Sequence, residues 1–204
     1  NKVLNEGKKL VLLGGDHSTP LGYIKALGEK HKDFGILQID AHCDLRQAYE
    51  GFTYSHASVM YNALQLDHVK SLTQVGIRDF CEDELAYARS SNKKINIFFD
   101  RTMSYEMIEG KTWKMICDEI VKTLPRNIYI SFDIDGLQQK YCPNTGTPVA
   151  GGLEVDQVFY LFNQVKKAGK KIVGMDLNEV GKDVWDANVG ARILYRMIGA
   201  WIAD

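Results

Sequence analysis

The chain has 204 residues, with 25 Lys and Arg against 26 Asp and Glu, for a formal net charge of −1. That length supports one core-bearing domain over 1–204, and the near-zero charge removes the electrostatic basis for binding nucleic acid or an anionic membrane. No apolar run approaches the roughly 20 residues of a membrane helix; no signal peptide is expected, and Cys43, Cys81, Cys117 and Cys142 form no C-x-x-C pair, so reduced thiols in a cytoplasmic protein are expected.

Taken in chain order, β-rich apolar runs recur at 10–13, 34–39, 72–77, 95–99, 128–134 and 171–177. They are continuous rather than alternating, which is the pattern of strands covered on both faces. Between them lie segments of helical periodicity. The first, 18–32, offers Ser18 and Thr19 as caps and Pro20 in the first turn. Others cover 56–66, 82–91, 111–123, 154–168 and 187–202. Strand and helix alternate, so the expectation is an α/β domain with a mainly parallel sheet. The least regular stretch is the Gly- and Pro-bearing segment 135–152, of a kind that often carries function.

In open parallel sheets, ligands bind beyond the carboxyl ends of the strands. Here those ends are unusually rich in acids and histidines. The first run leads into Asp16 and His17, and the second into Asp40, His42 and Asp44. The fifth brings Asp133 and Asp135, and the sixth Asp176 and Glu179. If the second strand continued through 44, Asp40, His42 and Asp44 would point to one face. Like charges gathered in that way cost several kcal/mol, or force protonation, unless a cation joins them. Asp40, Asp44, Asp133 and Asp135 contribute −4, which two divalent ions balance. Two histidines and four aspartates exceed a tetrahedral zinc site and suit Mn²⁺, with Fe, Co or Ni as other occupants. A water between two such ions is acidified enough to act as a nucleophile at neutral pH. Cys43, inside the cluster, reads as a small filler rather than a ligand.

The motifs GGDHS, DAHCD, SFDIDG and GTPVAGGL resemble those of the ureohydrolase family of arginase, agmatinase and formiminoglutamase, in order and over nearly the whole chain. The resemblance implies a three-layer αβα, arginase-like fold and a binuclear manganese centre, two Mn²⁺ per subunit, that hydrolyses a guanidino or formimino group. It implies His17, Asp40, Asp44 and Asp133 around one ion, and Asp40, His42, Asp133 and Asp135 around the other. It also makes His56 a proton shuttle and Glu179 the acid that binds the guanidinium, for which a carboxylate is the natural partner. A homo-oligomer, trimer or hexamer, is implied as well.

Where arginases carry polar residues that grip an amino-acid head group, this chain has Arg46, Phe52, Tyr54 and Cys81. The segment DLRQAYEGFTYSHASVM resembles an agmatinase subgroup instead, and the expected reaction is agmatine to putrescine and urea. Formiminoglutamase, guanidine or guanidino-acid hydrolase, arginase and a non-catalytic metal-binding paralogue are the alternatives. Arg46, a cation unwelcome beside an amine-tailed substrate, is expected to pair with a local acid such as Glu50. Two departures stand out. Gln138 and Gln139 replace an acid and a proline common in the family, and the family's usual amino-terminal part is expected to be lacking.

Overall fold

The computed structural model describes residues 2–202. Its strands are β1 Val11–Leu13, β2 Phe34–Ile39, β3 Val69–Ile77, β4 Lys94–Phe99, β5 Asn127–Asp133 and β6 Lys171–Asn178. Its helices are α1 Lys2–Asn5, α2 Pro20–Leu27, α3 Val59–Leu64, α4 Glu82–Ser90, α5 Asp100–Ile108, α6 Trp113–Thr123, α7 Val155–Lys167 and α8 Val184–Ile202. All pairings are parallel, and the strand order is β1-β6-β5-β2-β3-β4.

Side-chain alternation along the strands feeds two apolar cores. On β2, Ile36 joins Tyr23, Leu27, Met60 and Leu64 beneath α2 and α3, whereas Leu37 and Ile39 join Ile116, Phe162 and Ile193 beneath α6, α7 and α8. Every residue of β2 is buried, which is why the run carries no polar alternation. This is the expected three-layer arrangement.

The order of strands sets where a site can form. From β2 the chain moves through β3 to the edge at β4, then returns to β5 on the other flank of β2. The crevice beyond β2 and β5 is therefore the topological switch point, where side chains from adjacent strands meet over a gap. Asp40, His42 and Asp44 follow β2 directly, while Asp133 ends β5 and Asp135 lies in the 3-10 turn after it.

Local structure departs from expectation in a few places. The 56–66 helix is a 3-10 turn, His56–Ser58, followed by the shorter α3. The 18–32 helix is α2 alone; Pro20 occupies its first turn, but Thr19 gives no side-chain cap, because its hydroxyl donates to the Asp16 carbonyl and to Asn178 Oδ1. Helix α5 was not expected, since its sequence buries only Met103 and shows no apolar stripe. Segment 135–152 is irregular apart from short 3-10 turns.

Candidate metal centre and substrate pocket

Strand β2 ends at Ile39, so Asp40, His42 and Asp44 do not meet by strand alternation as expected. The chain turns instead. Asp40 Oδ1 accepts the backbone N–H of His42 at 2.7 Å, and His42 pairs in a single parallel bridge with Asp79. Asp44 then takes a left-handed conformation, φ 54°, which swings its carboxylate back toward His17. Two contacts hold that bend: the Asp44 carbonyl accepts from Met60 and Tyr61, and the Leu45 N–H donates to Glu84 Oε1 at 3.0 Å. Side chains separated in sequence thus arrive at one point, by loop geometry rather than by periodicity.

His17 lies at the centre of this point. Its Nδ1 is 2.9 Å from Asp44 Oδ2, 3.0 Å from Asp40 Oδ2 and 3.3 Å from Asp133 Oδ2, and none of these oxygens meets it in hydrogen-bond geometry. A second group adjoins the first: His42 Nδ1 is 3.1 Å from Asp135 Oδ2 and 3.5 Å from Asp40 Oδ1. Asp40 belongs to both groups, and its donor atoms share space with His17 and Asp44 on one side and with His42 and Asp135 on the other. Asp133 touches the first group through Oδ2, while its Oδ1 accepts the Asp135 N–H at 3.0 Å.

The protonation pattern follows from burial and crowding. Burial opposes a charge on His17, but the carboxylates of Asp133, Asp40 and Asp44 overcome it and hold the imidazole pKa well above its usual value. His42 is likewise pushed up to about 11 by Asp135 and Asp40 against its own desolvation. Burial and the neighbouring Asp40 charge raise Asp44 to about 7, and burial with Asp135 and Asp40 raises Asp133 well above the carboxylate range. Asp40 moves the other way despite its burial, because both histidines favour its anion. In effect, protons stand among these oxygens where a positive charge is required.

A divalent cation fits the same place. Donors about 2.0–2.2 Å from a small metal ion stand about 3 Å apart along a coordination edge, which is the spacing of His17 Nδ1 and its three carboxylate oxygens. The histidine tautomer is set for it. Ser131 Oγ donates to Asp176 Oδ1 at 3.0 Å, so it accepts from His17 Nε2–H at 2.8 Å and leaves Nδ1 facing the acids with its lone pair. The mixed nitrogen and oxygen donor set suits Mn²⁺ better than a soft ion. Cys43 is no part of it: its thiol is buried in the core under α3, and burial pushes its pKa up.

Glu179 and His56 flank the cluster. Glu179 has φ 61°, its Oε1 accepts the His17 backbone N–H at 2.9 Å, and its carbonyl accepts from Thr145. Burial raises its pKa, with the His17 N–H and the nearby His17 and His56 rings opposing. A Cβ on Gly146 would stand 3.1 Å from Glu179 Oε2, so segment 135–152 passes close over this acid. His56 opens the 3-10 turn after Ser55, whose Oγ accepts from Ala57 N–H, and its ring meets Tyr49 edge-on at 5.6 Å.

A pocket of about 220 Å³ opens above the cluster, lined by His42, Asp44, Arg46, Tyr49, His56 and Asp79 among others. Arg46 does not pair with Glu50. Its guanidinium lies 4.0 Å from the buried carboxylate of Glu84 and stacks over the Tyr49 ring at 5.3 Å. The reason is reach and burial: Glu84 already faces the loop through Leu45, and its charge is shielded from water, whereas Glu50 is exposed on the turn.

Several contributors escaped the sequence. Gln38 Nε2 holds Asp40 Oδ2 at 2.7 Å, and Gln74 in turn holds Gln38 Oε1. Arg78 grips the carbonyls of Asp135, Leu137 and Val149, tying down the segment that carries Gln138 and Gln139. A polar residue inside an apolar strand, such as Gln38, Gln74 or Ser131, was the available signal.

Comparison with known proteins gives the family and the fold. The arginase family profile matches residues 1–199, and the chain belongs to that family. It is 37% identical over 198 residues to the N(1)-aminopropylagmatine ureohydrolase of Thermus thermophilus, covering 96% of this chain and 64% of the relative. Identity to the agmatinase of Halalkalibacterium halodurans is 31% over 180 residues, 88% of this chain and 58% of the relative. Among solved structures, the agmatine ureohydrolase of Thermoplasma volcanium superposes with a TM-score of 0.78 at 29% identity, covering 98% of this chain and 64% of that one. The chain thus spans less than two thirds of the length of these relatives.

Proposed function

We propose that residues 1–204 form the catalytic domain of a manganese-dependent ureohydrolase that cleaves a guanidino C–N bond, with agmatine as substrate and putrescine and urea as products. The observation that carries this reading is the meeting of His17 Nδ1 with the oxygens of Asp40, Asp44 and Asp133, beside the His42–Asp135 pair that shares Asp40. Two divalent ions held by these six residues would supply positive charge and an acidified water at neutral pH.

The chain's own residues supply the rest. Glu179, in a part-buried position, offers a carboxylate to the planar guanidinium and keeps that cation oriented. His56, at the pocket wall, holds a proton for the nitrogen of the departing amine. Tyr49 packs edge-on against that ring and fixes its plane. Arg46 lies 4.0 Å from Glu84 and stacks on Tyr49, so its charge is partly offset beside a cationic tail. Phe52, Tyr54 and Cys81 offer no grip for an α-amino acid head group, which argues against arginine. A second reading, N(1)-aminopropylagmatine as substrate, is favoured by the relative that shares 37% identity. The four free cysteines suit a cytoplasmic setting, and the described residues contain no helix long and apolar enough to cross a membrane. Family likeness favours a homo-oligomer, trimer or hexamer.

The test is urea release by Mn²⁺-loaded protein from agmatine and N(1)-aminopropylagmatine, with arginine, formiminoglutamate and guanidine run beside them. The reading expects urea from the first two well above the others. No urea or formamide from any of the five would overturn the enzyme assignment in favour of a non-catalytic metal-binding protein.

A further inference from the structure

Asn178 ends β6 with its side chain fully buried. Along the chain it stands between Asp176, which accepts from Ser131, and Glu179, which accepts the His17 backbone N–H. Across the sheet its register partner is Asp133 on β5.

The Asn178 amide makes two contacts. Its Nδ2 donates to Asp176 Oδ1, the oxygen that also accepts the Ser131 hydroxyl. Its Oδ1 accepts from the Thr19 hydroxyl at 2.9 Å. The orientation is forced, because an ionised carboxylate only accepts and the amide NH₂ must therefore face Asp176. The same chemistry selects asparagine here. An aspartate would set carboxylate against carboxylate, and an apolar side chain would forfeit both bonds.

These contacts close a ring. His17 Nε2–H donates to Ser131 Oγ, and Ser131 donates to Asp176. Asn178 donates to the same Asp176 oxygen, and Thr19, two residues beyond His17, donates to Asn178. The ring thus leaves the 14–19 loop at the His17 imidazole and returns to it at the start of α2. The backbone is drawn in as well: Gly14 N–H donates to the Leu177 carbonyl, and Glu179 N–H to the Gly15 carbonyl at 2.8 Å. A Cβ on Gly14 would collide with Asn178 Oδ1 and Thr19 Oγ1, so the loop lies directly on this pair. Ser131 is a rotor whose proton must stay on Asp176 if its lone pair is to meet His17, and Asn178 fixes where that Asp176 oxygen stands.

We propose that Asn178 is a positioning residue for the candidate metal centre. Through Asp176 and Ser131 it sets the His17 imidazole, and through Thr19 it pins the loop that carries His17, so one amide holds both the ring and its backbone. The role at a metal centre rests on the ureohydrolase reading above.

Asn178→Leu removes both bonds at similar volume, Thr19→Val removes only the second, and Thr19→Ser keeps the hydroxyl. Mn²⁺ affinity by calorimetry is expected to fall about tenfold or more in Asn178→Leu. It should fall about fivefold in Thr19→Val and stay within about twofold in Thr19→Ser. Thr123→Val breaks the buried Thr73–Thr123 contact at the end of α6, and it is expected to lower the melting temperature without changing Mn²⁺ affinity. An equal fall in Mn²⁺ affinity there would reduce Asn178 to a general stabiliser and overturn the proposal. Parent-like Mn²⁺ affinity in Asn178→Leu would overturn it too; should that variant fail to fold, parent-like affinity in Thr19→Val does so. Because Asn178 and Ser131 act through one Asp176 oxygen, the Ser131→Ala, Asn178→Leu double variant should lose less than the product of the single losses. A full product would refute the shared path. A metal-free measurement stands beside these: amide hydrogen exchange at His17 and Glu179 should quicken about tenfold relative to Ile130 in Asn178→Leu. Unchanged ratios would overturn the proposal. If the parent protein bound no Mn²⁺, the metal reading of the centre would fail, while the exchange ratios would still decide the role of Asn178.

Discussion

Replacing Ser131 with alanine removes a single hydroxyl that touches no substrate and no proposed metal ion, yet it should disturb the centre measurably. Ser131 Oγ donates to Asp176 and accepts from His17 Nε2–H, and all three side chains are buried. Its loss strands the imidazole N–H and takes one donor from the Asp176 carboxylate, whose Oδ2 already lacks a partner. A buried hydrogen bond to a charged group contributes about 1.5–3 kcal/mol, and in the metal-free protein both partners of Ser131 are charged, so the combined cost is about 3–6 kcal/mol. For a chain of this size that is a fall of about 6–24 °C in Tm. The second effect is on metal. With Nε2–H unheld, the ring is free to change tautomer or rotate, and groups that orient a ligating histidine typically govern affinity by about 10–100-fold. The assay is paired: thermal unfolding of metal-free protein, and Mn²⁺ titration by calorimetry, each for Ser131→Ala beside the parent. A variant with the parent's Tm and the parent's Mn²⁺ affinity would refute the claim that the Ser131–Asp176 relay sets His17 for a cation.

Further outcomes follow from the same geometry. Because Asp40 belongs to both donor groups, Asp40→Asn should reduce Mn²⁺ stoichiometry from about two to below one per chain, while Asp44→Asn or His42→Ala should leave about one; metal analysis after dialysis reads this. Protons occupy His17 and His42 tightly in the metal-free protein, His42 up to about 11 and Asp44 to about 7, and metal binds only the deprotonated donors. Mn²⁺ affinity should therefore rise as pH rises from 6.5 to 8.5, with proton release visible as a buffer-dependent calorimetric heat; affinity that is flat or falls over that range would contradict this. Glu84→Ala strands the N–H groups of Leu45 and Cys81, both of which its carboxylate now accepts. It should cost about 2–4 kcal/mol by chemical denaturation, more than an Arg46→Ala change, since the Arg46 contact is long and partly exposed.

Much of this architecture was legible from residue patterns. The continuous apolar runs marked buried parallel strands because the central strands have a helix layer on both faces, as β2 shows by its complete burial, while the edge strands β1 and β4 are only partly covered. The acids and histidines at strand ends were readable because a parallel sheet directs those ends to one edge. What was not legible is how the side chains meet. Asp44 comes into place through a left-handed bend rather than through the two-residue period of a strand. The partner of Arg46 is Glu84, far along the chain, and proximity in sequence favoured Glu50 wrongly. Helix α5 was silent because it buries Met103 alone, with Met107 only partly covered, and so carries too little apolar signal. The hydroxyl of Ser131 and the amides of Gln38 and Gln74 looked like polar interruptions of β-strands until their partners could be seen.

The most direct test of the central claim is anomalous diffraction at the manganese edge from crystals grown with Mn²⁺. The account predicts two peaks per chain, one among His17, Asp40, Asp44 and Asp133 and the other among Asp40, His42, Asp133 and Asp135, with Asp40 contacting both. A single peak away from Asp40, or no peak at these residues at millimolar Mn²⁺, would contradict it.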